Sequence, residues 1–143
     1  MKNYQEFEIV PQDRDTHLLV RGRTVQELFR NALAGMASFV APDAGAMSSS
    51  GKKIKREITV HAVDISSLLV EFISQILAEQ DTHGAVFTQG VFRTFGENFL
   101  HAEVTGTSVE EPAAEICAVS YADVDVKKNP DTGLFETTLI FEM

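Results

Sequence analysis

The chain has 143 residues, 44% of them hydrophobic and 23% charged, which is the size and balance of one globular domain and excludes a disordered or collagen-like chain. Its 21 acidic residues outweigh 12 basic ones for a formal charge of −9, so the surface repels phosphate backbones and suits a basic partner or a bound cation rather than tight direct contact with nucleic acid. The single Cys117 excludes an internal disulfide and a cysteine-rich zinc site, no apolar run reaches the ~18 residues of a membrane span, and the alternating, acidic MKNYQEFEIV start is not a signal peptide, so the expected compartment is the cytoplasm.

Residues 4–10 alternate and predict a strand, with Gln5, Phe7 and Ile9 on one face. PQDRD at 11–15 reads as a polar loop and His17 to Arg21 as a short second strand. Thr24 with Glu27 three residues on has the spacing of a capping box. Val25, Leu28, Phe29, Ala32, Leu33, Met36 and Val40 then recur at three- and four-residue steps, which predicts an amphipathic helix ended by Pro42. The following small-residue stretch carries Gly45 and Gly51-Lys52. Five residues separate the glycines and Lys53 follows, whereas a phosphate-cradling loop needs four and a Ser or Thr, so it reads as a plain loop.

Residues 53–63 alternate as a longer strand, with Ile54, Ile58, Val60 and Ala62 on the buried face. A second helix is expected from about Ile65 to Gln80, its stripe running through Leu68, Leu69, Phe72, Ile73 and Ile76, with Gly84 as the stop. Two strands, 85–94 and 98–106, follow as a hairpin. From Pro112 the segment PAAEICAVSYA reads either as a short third helix or as a strand across EICAVSY. ADVDVKK reads as a strand, NPDTG as a turn and LFETTLIFEM as the last strand. The order predicts a single α+β domain over 1–143: a mostly antiparallel or mixed sheet packed with two main helices, with a short third as an option.

None of His17, His61, His83 and His101 has helical i,i+4 spacing to another, Cys117 reads as a small buried hydrophobe, and no nucleophile–base pair or HExxH motif is present. What remains is carboxylate: Asp13 and Asp15 early, Asp123 and Asp125 late, and Glu142 with the chain-terminal carboxylate of Met143. An oxygen-only set of this kind, if it converges, suits a hard cation such as Ca²⁺ or Mg²⁺.

Four segments, in order, resemble the archease family, the small proteins that assist the RtcB-type tRNA-splicing RNA ligase. D-T-H-L-L-V-R-G-R-T-V-Q-E-L-F (Asp15 to Phe29) is similar to the family's D-I-G-I-x-V-x-G-x-T-L-E-E-L-F. Asp64 to Gly84 resembles its D-L-x-x-L-L-V-E-W-L-N-E-L-L followed by D-T-E-G, Ala118 to Lys127 its A-V-T-Y-H-x-L-E-V-K, and the ending T-L-I-F-E-M its V-I-F-D-I. The chain departs from the family at the opening H-T-A-D, which reads Gln12, Asp13, Arg14 and Asp15, and at Cys117, Ala122 and Glu142, where lysine, histidine and aspartate are usual.

The resemblance implies an accessory protein, not an enzyme, that promotes guanylylation and multiple turnover of an RNA ligase in tRNA processing. It also implies a divalent-metal site, for Ca²⁺, Mg²⁺ or Mn²⁺, built from Asp15, Glu142 and Met143, with Asp13 as a candidate extra ligand. Those acids meet if the strand after Asp15 and the final strand are neighbours at one sheet end. Two other readings remain: a diverged chaperone or binding module without a metal site, and, ranked last, a metal-dependent hydrolase.

Overall fold

The structure is a computed structural model that describes residues 4–12, 14–42 and 52–143. Asp13 and the Gly45–Gly51 stretch lie outside the described residues. The elements, in chain order, are β1 (Phe7–Gln12), β2 (Asp15–Gly22), α1 (Val25–Val40), β3 (Lys53–His61), α2 (Ile65–His83), β4 (Ala85–Phe95), β5 (Phe99–Ser108), β6 (Ala118–Ser120), β7 (Lys127–Lys128) and β8 (Phe135–Glu142).

The strands form two antiparallel sheets rather than one. The first has the order β1-β2-β8-β6, with β7 also on β8; the second has the order β3-β5-β4. The helices hold them together. α1 packs on β2 and β4, one strand from each sheet, and α2 packs on β3, β4 and β6. Both helical stripes and the inner faces of both sheets therefore drain into one core. Phe29, Leu33, Leu69, Phe72, Ile76 and Phe141 all belong to it. At its centre the Phe29 and Phe72 rings lie 5.8 Å apart, and Phe95 meets Phe29 edge-on at 4.9 Å.

Local chemistry sets the helix ends. Thr24 caps α1, its hydroxyl accepting from the Glu27 amide at 3.0 Å. The Glu27 carboxylate reaches back one residue further than a capping box, to the Arg23 amide at 3.3 Å, and also receives the Tyr4 hydroxyl. Asp64 caps α2 through the Ser67 amide at 2.8 Å, a bond that holds the Asp64 carboxyl below its ordinary range. Gly84 closes α2 in the left-handed region at φ 58°, where a side chain is disfavoured. Gly22 is required by space: a Cβ there would sit 2.4 Å from the Leu28 amide nitrogen, so β2 can feed directly into α1 only through glycine.

Three expectations fail or narrow for physical reasons. Pro11, Gln12 and Asp15 are not in a loop as expected: β1 runs through Gln12 and β2 begins at Asp15, with Gln12 paired to Asp15. Of the two readings left open for 112–122, the third helix does not form and the strand does, shortened to Ala118–Ser120. The Ala113 amide is taken by the Val40 carbonyl at 2.7 Å and the Cys117 amide by the Glu142 carbonyl at 2.8 Å, so an edge of β8 supplies the ladder that makes β6. The strand expected over 122–128 shrinks to Lys127–Lys128 because Asp123 takes a left-handed backbone at φ 62° that interrupts it.

Candidate functional site

β2 and β8 pair in unbroken antiparallel register from Gly22 against Phe135 to Thr16 against Phe141. Continued one step beyond its last pair, that register sets Asp15 at the start of β2 towards Glu142 at the end of β8. Asp15 is paired on its other side with Gln12, and Glu142 with Ala118. The four residues Gln12, Asp15, Glu142 and Ala118 thus form one transverse row across four strands. Residues directly opposite in an antiparallel pair project from the same face, with Cβ atoms about 4.5–5.5 Å apart.

Alternation decides which face. In the next row Thr16, Phe141 and Val119 are buried, so that row points to the helices and the acid row points away from them. Asp15 is half-buried and Glu142 exposed. The last residue is held from the side: besides the bond to the Glu142 carbonyl, the Cys117 thiol donates to the Met143 main-chain oxygen at 3.5 Å. Cys117 is therefore exposed rather than the buried hydrophobe expected, because its neighbour Ile116 takes the inward position. Gln12, Arg14, Asp15 and His17 line a shallow open depression beside the row.

The structure thus brings Asp15 and Glu142 to one sheet end with Met143 next in the chain, while Asp13 lies outside the described residues. Among the described residues no three His, Cys, Asp or Glu side chains cluster closely enough to hold an ion. The donors at the corner are two carboxylates and a main-chain oxygen. Their chemistry fits a hard cation that keeps part of its water shell and does not fit zinc, which favours nitrogen and sulfur.

The four histidines do not gather. His17 lies on the outer face of β2, His61 stacks beside Phe99 at 4.6 Å, His83 pairs with Glu79 at 3.0 Å and His101 with Glu57 at 2.5 Å. Sequence reasoning missed one linkage. The Tyr121 hydroxyl donates to Glu71 on α2 at 2.6 Å, and that bond pushes the Tyr121 pKa up to about 12. The Val126 amide donates to Ser66 at 3.0 Å. These bonds staple residues 121–126 onto α2, joining two of the four segments that carried the resemblance. Asp123 and Asp125 fall in that staple, and Asp125 pairs with Lys127 at 2.9 Å. Among the described residues no helix is long and apolar enough to cross a membrane.

Comparison with known proteins is consistent along the whole chain. Residues 7–142 match the Archease protein family (MTH1598/TM1083). Protein archease of Pyrococcus abyssi is 32% identical over 87 residues, a match that spans 56% of this chain and 61% of that protein. The solution structure of Methanobacterium thermoautotrophicum protein 1598 superposes with a TM-score of 0.66 at 21% identity, covering 96% of this chain and 99% of that one. The crystal structure of a Thermotoga maritima archease, described as a possible chaperone, superposes with a TM-score of 0.64 at 14% identity over 100% of this chain and 98% of that one.

Proposed function

This chain belongs to the archease family, and we propose that it is an accessory protein that works on a protein partner, an RNA ligase of the RtcB type, promoting its guanylylation and repeated turnover in tRNA processing. The observation that carries this reading is the register that, continued one step, sets Asp15 towards Glu142 at the free end of the first sheet. Two carboxylates, held by strands on both sides and turned away from the core, are a poor device for stability and a good one for presenting charge.

Asp15, Glu142 and the Met143 main-chain oxygen would hold the divalent cation. Mg²⁺ and Mn²⁺ fit this donor count better than Ca²⁺, because Mg²⁺ in particular is held by one or two carboxylates and retains several waters, whereas Ca²⁺ takes six to eight oxygens. When bound, the cation supplies a positive centre on an acidic corner. The protein's own part is to fix the two carboxylates by strand pairing and to hold the chain end through Cys117. A chain of net charge −9 is repelled by RNA but attracted to the basic surface of an RNA-binding partner. The protein itself turns over no substrate in this reading.

The deciding experiment is RNA ligation by an RtcB-type ligase under multiple-turnover conditions, with and without this protein. Stimulation is expected, and it should fall in Asp15→Ala and Glu142→Ala. Calorimetric titration with Mg²⁺, Mn²⁺ and Ca²⁺ tests the site separately: wild-type binding absent from both variants supports it, and no binding at millimolar metal defeats it. Stimulation without metal binding favours the second reading, a chaperone or binding module, which draws its support from the Thermotoga maritima relative described as a possible chaperone.

A further inference from the structure

Each sheet leaves strand edges, and an unpaired edge is a template for another strand unless something blunts it. The edges here are β1 and β6 in the first sheet, where the two-residue β7 also lies beside β8, and β3 and β4 in the second; β6, at three residues, is blunted by its shortness. β1 carries Pro11, which has no N–H to offer. β4 breaks register with β5 twice, between Phe87 and Gln89 and between Phe92 and Thr94, and such bulges twist an edge away. β3 has neither device. It pairs with β5 residue for residue from Lys53 to His61.

What β3 carries instead is charge. Lys52, Lys53, Lys55 and Arg56 place four of the chain's 12 basic residues within five positions, on a molecule whose formal charge is −9. The three lysines are exposed. Among the described residues they enter no ion pair, while Arg56 lies 3.7 Å from Glu79 and 3.1 Å from the His83 ring, both on α2. Lysines on an edge repel basic strands and resist being desolvated under neutral ones, which leaves an acidic visitor favoured.

We propose that the β3 edge is a docking site for an extended acidic segment of a partner protein, taken up by strand addition. Main-chain hydrogen bonds supply the affinity and the lysines supply the choice. The outward row of β3 reads Lys53, Lys55, Glu57, Thr59, so the matching segment carries acids at two alternate positions, beside Lys53 and Lys55. Beside Glu57 it needs a neutral or basic residue, because that carboxylate is already engaged by His101. A nucleic-acid strand is disfavoured: it has no amide ladder to offer, and the rest of the surface repels it.

The test uses the full chain and two blocked nine-residue peptides of alternating Thr and Val, one with glutamates at two alternate positions and one with lysines there. The glutamate peptide is expected to bind, to slow amide hydrogen exchange along β3 and to leave β4 exchange unchanged. The double variant Lys53→Glu/Lys55→Glu should bind it at least tenfold more weakly and should prefer the lysine peptide. If that variant does not fold by its thermal melt, Lys53→Gln/Lys55→Gln takes its place, with the same tenfold loss expected. Three results overturn the proposal: equal binding of both peptides, no slowing of β3 exchange at millimolar peptide, or a single-stranded oligonucleotide that binds at the lysines more tightly than the glutamate peptide does.

Discussion

Two pairs of like charges face each other across antiparallel strands, and the molecule treats them differently. In the second sheet Glu57 stands opposite Glu103. Each has a partner of its own: the His101 ring lies 2.5 Å from Glu57, and the Arg93 guanidinium lies 3.4 Å from Glu103. In the first sheet the continued β2–β8 register sets Asp15 towards Glu142, and among the described residues neither carboxylate enters an ion pair. Opposed like charges destabilise a strand pair by a few tenths of a kcal/mol up to about 1 kcal/mol. On the proposed reading, a fold that gives one such pair its own side-chain partners and leaves the other without them keeps the second pair open for a ligand. That contrast, rather than the count of acids, is what singles out the corner.

Both pairs hang on one core, so the largest perturbation should erase the contrast. Phe72 is fully buried between the Phe29 and Phe92 rings, at 5.8 and 5.6 Å. Phe72→Ala should cost roughly 3–5 kcal/mol, the range for emptying a buried aromatic site. Chemical denaturation would read this directly, with one transition for both sheets. A loss well below 1 kcal/mol, or two separate transitions, would show that the sheets do not share their core.

The next effect separates the pairs. A cation that binds the folded state alone stabilises it by about 2.7 kcal/mol at a hundredfold excess over its dissociation constant. Thermal melts with Mg²⁺ or Mn²⁺ should therefore shift upward in the wild type and stay fixed in Asp15→Asn and Glu142→Gln. In Glu57→Gln the upward shift should persist, because that pair already has side-chain partners in His101 and Arg93. A shift of equal size in all four proteins would place the metal elsewhere.

The fold was legible where periodicity and caps agree. The stripes of α1 and α2, the Thr24 cap with Glu27 and the stop at Gly84 all stand where the sequence put them. The hairpin turn between β4 and β5 did as well. Illegibility set in where a distant partner decided the outcome. Nothing in PAAEICAVSYA says that its Cys117 amide will find the Glu142 carbonyl 25 residues on, and that bond is what turned an amphipathic stretch into an edge strand. The same pairing moved Cys117 to the surface. Two sheets instead of one were likewise invisible, since strand alternation marks a buried face without naming the neighbour. For the corner, the residues alone supplied Asp15 and Glu142 among several unexplained acids, and the family resemblance chose them from that set; their nearness follows from continuing the β2–β8 register, which no local pattern encodes.

A smaller effect probes the compensated pair. Arg93→Ala leaves Glu103 facing Glu57 with only His101 to share. The Arg93–Glu103 pair is solvent-accessible, with Arg93 just over half exposed at 53%, so the loss should be about 0.2–1 kcal/mol. It should shrink in high salt, because exposed charges are screened over roughly 10 Å at 0.1 M. Denaturation midpoints at low and high salt would measure it. A loss that persists undiminished in molar salt would mean that Arg93 acts through its stem packing rather than its charge.

The smallest expected effect has the opposite sign, and it discriminates most sharply between a structural and a functional corner. In metal-free solution Asp15→Asn removes one of two uncompensated neighbours. At ~4 Å in water-like surroundings two unit charges repel by about 1 kcal/mol, and Glu142 is exposed enough for water to dominate the screening. Asparagine keeps the size and polarity, so little packing changes. The variant should match the wild type or exceed it by a few tenths of a kcal/mol when a chelator is present, and should fall behind it when Mg²⁺ or Mn²⁺ is added. That crossing of the two stability orders is the signature of carboxylates held together for a ligand. A clear destabilisation under chelator, approaching the cost of a lost buried hydrogen bond, would mean instead that Asp15 is a hairpin residue stabilising the β1–β2 connection through its own bonds, and the contrast between the two charge pairs would then carry no functional meaning.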